Sequence, residues 1–263
     1  MREARLAELI TTAKAGNGRT ADVWLPELIS SAPWQIKLTP HFQFYYYCDT
    51  QEDEAFSDTL YTNMERIYSE VADFLPCEQQ SSQVAFSNQP RLECFILHTS
   101  STRTFGTTMD KGQIFYLLDP VQDPEYLQRL RHEIMHMLWG IRHGEAPPLF
   151  NEGIANFVEH LSAPNADIDV FLQNAPFVLA NTPPLAEIAD TQVYWEHGSF
   201  YTAGGLLVWY LVDRWGWENL ERLFAISDYR DSNILDHFYE VYQKDLSTVD
   251  IEWRQHLSSL IGR

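Results

Sequence analysis

Residues 129–157 read RLRHEIMHMLWGIRHGEAPPLFNEGIANF, and the two histidines at its start govern how the rest is read. Helical positions i and i+4 share a face, so His132 and His136 present both rings to a single metal ion. Glu133 is turned about 100° from His132, which lets it reach a water beside that ion without ligating it. Zinc held by two neutral imidazoles and one carboxylate keeps a coordination position open, and water bound there loses its proton near about pH 7. The pattern therefore predicts hydrolysis. Glu133 takes the proton as the water attacks a carbonyl carbon, then hands it to the leaving amine.

Such a centre needs a third protein ligand, and the same stretch offers two. His143, in HEIMHMLWGIRH, approaches the HExxHxxGxxH spacing of metzincins, but Gly140 and His143 each lie one position too late. No methionine follows Met137 to form the Met-turn that those enzymes place beneath the metal. Glu152 lies sixteen residues beyond His136, at the start of the next helix, after a connection over 140–148 that lets this helix fold back on the first. Gly153 beside it permits close helix approach. A purely structural metal site, with His143 as a fourth ligand in place of water, is the competing arrangement.

The composition narrows the partners. The chain carries 18 basic and 37 acidic residues, a net charge of −19, which repels phosphate backbones and anionic lipid surfaces. Nucleic acid and membrane partners are not expected; a peptide or unfolded protein substrate is. No apolar run approaches the roughly 20 residues of a membrane span, and the opening MREARLAELITTAKAG lacks the apolar stretch of a secretory leader. Cys48, Cys77 and Cys94 are odd in number and lack CxxC spacing. They read as free thiols in a reducing compartment, and the expected location is cytoplasmic.

At 263 residues, 45% of them hydrophobic, the chain can build a sizeable core. Residues 1–37 read as a wrapping segment, with a short amphipathic helix over 1–14 and a Gly-, Pro- and Ser-bearing stretch over 16–33. A sheet subdomain, 38–122, and a helical subdomain, 123–263, then form one domain. FQFYYYC (42–48), RLECFILH (91–98) and GQIFYLL (112–118) read as strands. Phe56, Leu60, Met64, Ile67, Val71 and Phe74 mark one long helix that Pro76 ends. Asp123 and Pro124 start the HEIMH helix, which runs to Trp139 before Gly140. Helices follow near 149–161, 198–214, 217–226, 232–243 and 248–261, and 163–190 reads as a loop. The class is α+β: a small N-terminal mixed sheet with a long helix, then a helical C-terminal part.

HEIMH followed by LFNEGIANF resembles the gluzincins, the thermolysin-type zinc metallopeptidases, and especially their compact peptidase-MA-like members. GSFYTAGGLLVWYLVDRWG is similar to that group's Tyr-x-Ala-Gly helix, DHFYEVYQKDL to the segment after it, and TPHFQFYYY to its first strand. The resemblance spans roughly residues 38–261. It implies a thermolysin-like zincin domain with zinc (Zn2+) at His132, His136 and Glu152, and Glu133 as general base. It places an oxyanion-stabilising hydroxyl at Tyr201, with Tyr194 and His197 as neighbouring alternatives. Asn156, one turn after Glu152, stands where a ligand histidine is oriented from behind. The Gly-x-Met-Glu-Asn sequence of zinc aminopeptidases is missing, so endopeptidase action is expected. The 112–118 strand stands where an edge strand accepts an extended substrate. A catalytically weak or inactive relative that binds peptides or a protein partner is the alternative, against which the intact Glu133 speaks.

Overall fold

In the computed structural model, the residues described are 2–15, 21–48, 54–76, 91–98, 105–108, 112–118, 125–196 and 200–261. Strands β1 (Gln35–Leu38), β2 (Phe42–Cys48), β3 (Leu92–His98), β4 (Phe105–Thr108) and β5 (Gln113–Leu118) form one sheet in the order β1-β2-β3-β5-β4. The three central strands, β2, β3 and β5, run parallel, and β1 and β4 pair antiparallel at the two edges. The 112–118 strand is therefore internal. Among the described residues the edge beside it is β4, which pairs Gly106 with Tyr116 and Phe105 with Leu117.

The period-two rule explains why β3 and β5 are apolar on both faces. Phe95, Leu97, Phe115 and Leu117 point to one side, where helices α1 (Arg2–Ala15) and α2 (Ala21–Ser31) cover them with Leu9, Ile10, Ala13, Trp24, Leu25 and Leu28. Trp24 meets Phe115 edge-on with ring centroids 5.6 Å apart. Within the 16–33 stretch, residues 21–31 form α2, a helix despite Pro26 within it, because Trp24, Leu25 and Leu28 bury against the sheet. On the other face lies α3 (Glu54–Phe74), where Leu60, Met64, Ile67 and Val71 are fully buried. Each such side chain contributes roughly 1.5–3 kcal/mol on leaving water. Phe44 packs on Tyr61 at 4.6 Å and Phe42 on Tyr68 at 5.7 Å.

Helix α4 (Tyr126–His143) carries the HEIMH residues. The Asp123–Pro124 start lies outside the described residues. The helix does not stop before Gly140 but runs one turn further. An interior glycine costs only about 1 kcal/mol, and His143 packs on Trp139 at 4.3 Å to hold that last turn. Gly144, at φ +85°, ends it in the left-handed region that only glycine enters cheaply. The chain divides into two compact units, Met1–Met137 and Leu138–Arg263, and the division lies inside α4.

The second unit is helical. Helix α5 (Pro148–Leu161) is followed by α6 (Ile168–Leu172), α7 (Ala175–Asn181), α8 (Leu185–Ile188) and α9 (Thr191–Glu196). Most of the expected 163–190 loop is thus built from short helices. Then come α10 (Tyr201–Trp215), α11 (Trp217–Ile226), α12 (Ile234–Tyr242) and α13 (Leu246–Leu260), close to the expected spans. Helices α5 and α10 cross where Gly153 meets Gly204: a methyl on Gly153 would lie 2.7 Å from the Gly204 carbonyl carbon. The close approach expected of Gly153 is thus made to the GSFYTAGG helix. The fold is a mixed one of helices and a small five-stranded mixed sheet. No helix among the described residues is long and apolar enough to cross a membrane.

Candidate metal centre

His132 and His136 occupy successive turns of α4, and their Nε2 atoms face each other 3.1 Å apart. Two imidazoles bound to one zinc at about 2.0–2.1 Å in tetrahedral geometry hold their nitrogens about 3.3 Å apart, so the pair is already spaced for a shared ion. A carboxylate oxygen of Glu152, from the first turn of α5, completes the group: the three donor atoms all lie within 4.8 Å of one another. Two imidazoles and a carboxylate suit zinc, and also the iron(II) arrangement of two histidines and an acid. The residues thus fit a divalent first-row ion.

His143 stays out of this group. Seven residues past His136 it returns to nearly the same helix face, but about 10 Å further along the axis. Its Nε2 instead lies 3.9 Å from a Glu221 oxygen. Burial, then the neighbouring Arg142 charge, lower its pKa to about 4; an acid at 3.9 Å is too distant to offset that. The unfolded chain therefore binds a proton that the fold refuses between about pH 6.5 and 4. Stability from this residue is intact above that window and declines as pH falls through it. Replacing His143 with Gln is expected to narrow the gap in melting temperature from the parent as pH drops from 7 to 4.5. A gap independent of pH would mean that His143 titrates normally.

Glu133 is only 8% exposed. It packs against the sheet's edge at Gly106, near Tyr116 of the neighbouring strand. A methyl built on Gly106 would lie 2.6 Å from Glu133 Cγ, 2.9 Å from Glu133 Oε1 and 2.8 Å from Tyr116 Cε1. Tyr116 is fully buried, and its hydroxyl donates to the Leu130 carbonyl at 3.3 Å, one turn before Glu133. Burial, and then the Glu133 charge, push the Tyr116 phenol well above its usual range, which keeps it a neutral donor. Neither Gly106 nor Tyr116 stood out in the sequence. The one signal was a glycine inside a short β stretch, where glycine marks a close approach.

Around Glu152 the second unit gathers aromatic hydroxyls. Tyr194 is fully buried, and its phenol is raised by burial and then by the Glu152 carboxylate. Tyr229, which the sequence reading passed over, is raised to about 12, by burial first and Glu152 next. Its oxygen accepts a hydrogen bond from Trp195 Nε1 at 3.2 Å. An indole nitrogen only donates, so the Tyr229 proton remains to be given elsewhere. Tyr201 opens α10, half-buried, with its ring edge-on to Trp195 at 6.3 Å. His197 lies outside the described residues. The Asn156 side-chain oxygen abuts Gly205 of α10, where a methyl would lie 2.5 Å from it, and the Asn156 carbonyl accepts from His160 Nδ1 at 2.9 Å.

No protein-family model and no curated protein matches this chain.

Proposed function

We propose that the chain is a zinc metalloendopeptidase of the gluzincin type, hydrolysing peptide bonds in extended or unfolded protein. The observation that carries this reading is the convergence of His132, His136 and Glu152 donors within 4.8 Å, on the residues that the HExxH-plus-Glu pattern selects. Zinc, when held by these three side chains, supplies Lewis acidity, lowering the pKa of water and polarising a carbonyl. Everything else falls to the protein. Glu133, nearly excluded from solvent, takes the proton of the attacking water and returns it to the departing nitrogen. A phenol donates to the carbonyl oxygen as that oxygen gains charge. Tyr201 and Tyr229 are the half-exposed candidates for this, whereas fully buried Tyr194 has no surface from which to meet a substrate. Among the described residues β4 is the edge of the sheet beside Glu133, which lies against it at Gly106, and an extended peptide pairs with such an edge through backbone hydrogen bonds.

Metal analysis of the purified chain, combined with cleavage of an unfolded protein, tests the proposal. About one zinc per chain is expected. His132→Ala or His136→Ala should abolish binding at micromolar metal, and Glu152→Ala should weaken it strongly. Should Glu152→Ala bind normally while His143→Ala loses the metal, the ligand set is wrong and the peptidase assignment goes with it.

A further inference from the structure

At Gly106 the sheet meets the Glu133 side chain through space a side chain would fill. Its φ is not among the positive ones, so the backbone there suits any residue. What the position demands is room. Carbon atoms rest about 3.5–4.0 Å apart, whereas a Cβ here would sit 2.6 Å from Glu133 Cγ and 2.8 Å from Tyr116 Cε1. Tyr116 has little freedom to yield, being fully buried and hydrogen-bonded to Leu130. Glycine in a strand otherwise costs stability and packs nothing. Its presence opposite Tyr116, on a four-residue edge strand, therefore calls for a compensating role.

We propose that Gly106 is a positioning residue for the general base: its missing side chain lets Glu133 rest against the edge strand, beside the Tyr116 ring. Any side chain at 106 drives the carboxylate away from that wall and turns it out of the attitude that α4 gives it. The catalytic half of this inference rests on the peptidase reading. The contact itself does not.

The test combines a stability cycle on metal-free protein with kinetics on the zinc-loaded chain. Gly106→Ala should lower the urea midpoint, and the shift should shrink by at least half in a Glu133→Ala background, where the obstructing Cγ and Oε1 are gone. In a Glu133→Gln background, which keeps the bulk, the full shift should persist. Additive shifts in the Glu133→Ala background overturn the proposal. With peptide substrate, well below the melting temperature, Gly106→Ala should lower kcat at least tenfold while KM and zinc content stay within twofold. A merely structural glycine would lower kcat only in proportion to the folded fraction, so an unchanged kcat also overturns it. If the parent chain cleaves nothing, the peptidase reading fails and the cycle alone decides whether Gly106 sets the place of Glu133.

Discussion

Glu133→Gln is expected to keep about one zinc per chain and to lose at least about 10² in turnover, the usual minimum for removing a general base. The amide has nearly the carboxylate's shape, so it fills the same place against Gly106, where a methyl on the glycine would lie 2.6 Å from Glu133 Cγ. What it lacks is a lone pair basic enough to hold a proton. KM should therefore change little while kcat falls, since binding does not use the proton. Zinc content by elemental analysis and kcat on a quenched fluorescent peptide read the two effects separately. Loss of the metal would make Glu133 a ligand, and full turnover would put the base elsewhere. Either result ends the mechanism as drawn.

The donors of this centre were legible because they are local. His132 and His136 are one turn apart on a helix expected between Pro124 and Gly140, and Glu152 opens the next helix after a short connection. The long helix over Glu54–Phe74 was legible from apolar residues three and four apart, and the strands at 42–48, 92–98 and 113–118 from short aromatic and aliphatic runs. What escaped depends on contacts remote in sequence. β4 is only FGTT, too short to alternate, and it exists as a strand because β5 pairs with it. Since chain order is not spatial order, nothing in the sequence shows that β4 lies beyond β5. α2 was hidden by Pro26, and α6 to α8 by the Pro, Asn and Asp around them, because helices of four to seven residues leave no periodic trace. The hydroxyl of Tyr229 is unreadable from sequence for another reason. Its nearness to Glu152 is made by a loop seventy-seven residues further on.

The second large effect belongs to the helix that carries the histidines. Arg131, immediately before His132, is 7% exposed, and its guanidinium donates to Glu70 on α3. Glu70 also accepts from Arg66 at 2.5 Å, but the Arg66 side chain is 45% exposed. The two pairs share an acid and differ in burial, so they differ in worth. An exposed pair one turn apart contributes about 0.3–0.5 kcal/mol. Removing one partner of a buried pair costs about 3–5 kcal/mol, because the charge left behind can neither reach water nor shed its proton. Glu70→Ala is therefore expected to cost about 3–5 kcal/mol in urea denaturation of the metal-free chain, a large part of the roughly 5–15 kcal/mol that holds a domain folded. Arg66→Ala should cost under about 0.5 kcal/mol. Replacing both buried partners with apolar residues, Glu70→Leu with Arg131→Met, should recover most of the loss, since the penalty lies in the orphaned charge and not in the missing attraction. A Glu70→Ala cost below about 1 kcal/mol would mean that Arg131 finds other solvation once its partner is gone. In that event the turn bearing His132 owes its place to apolar packing rather than to this ion pair.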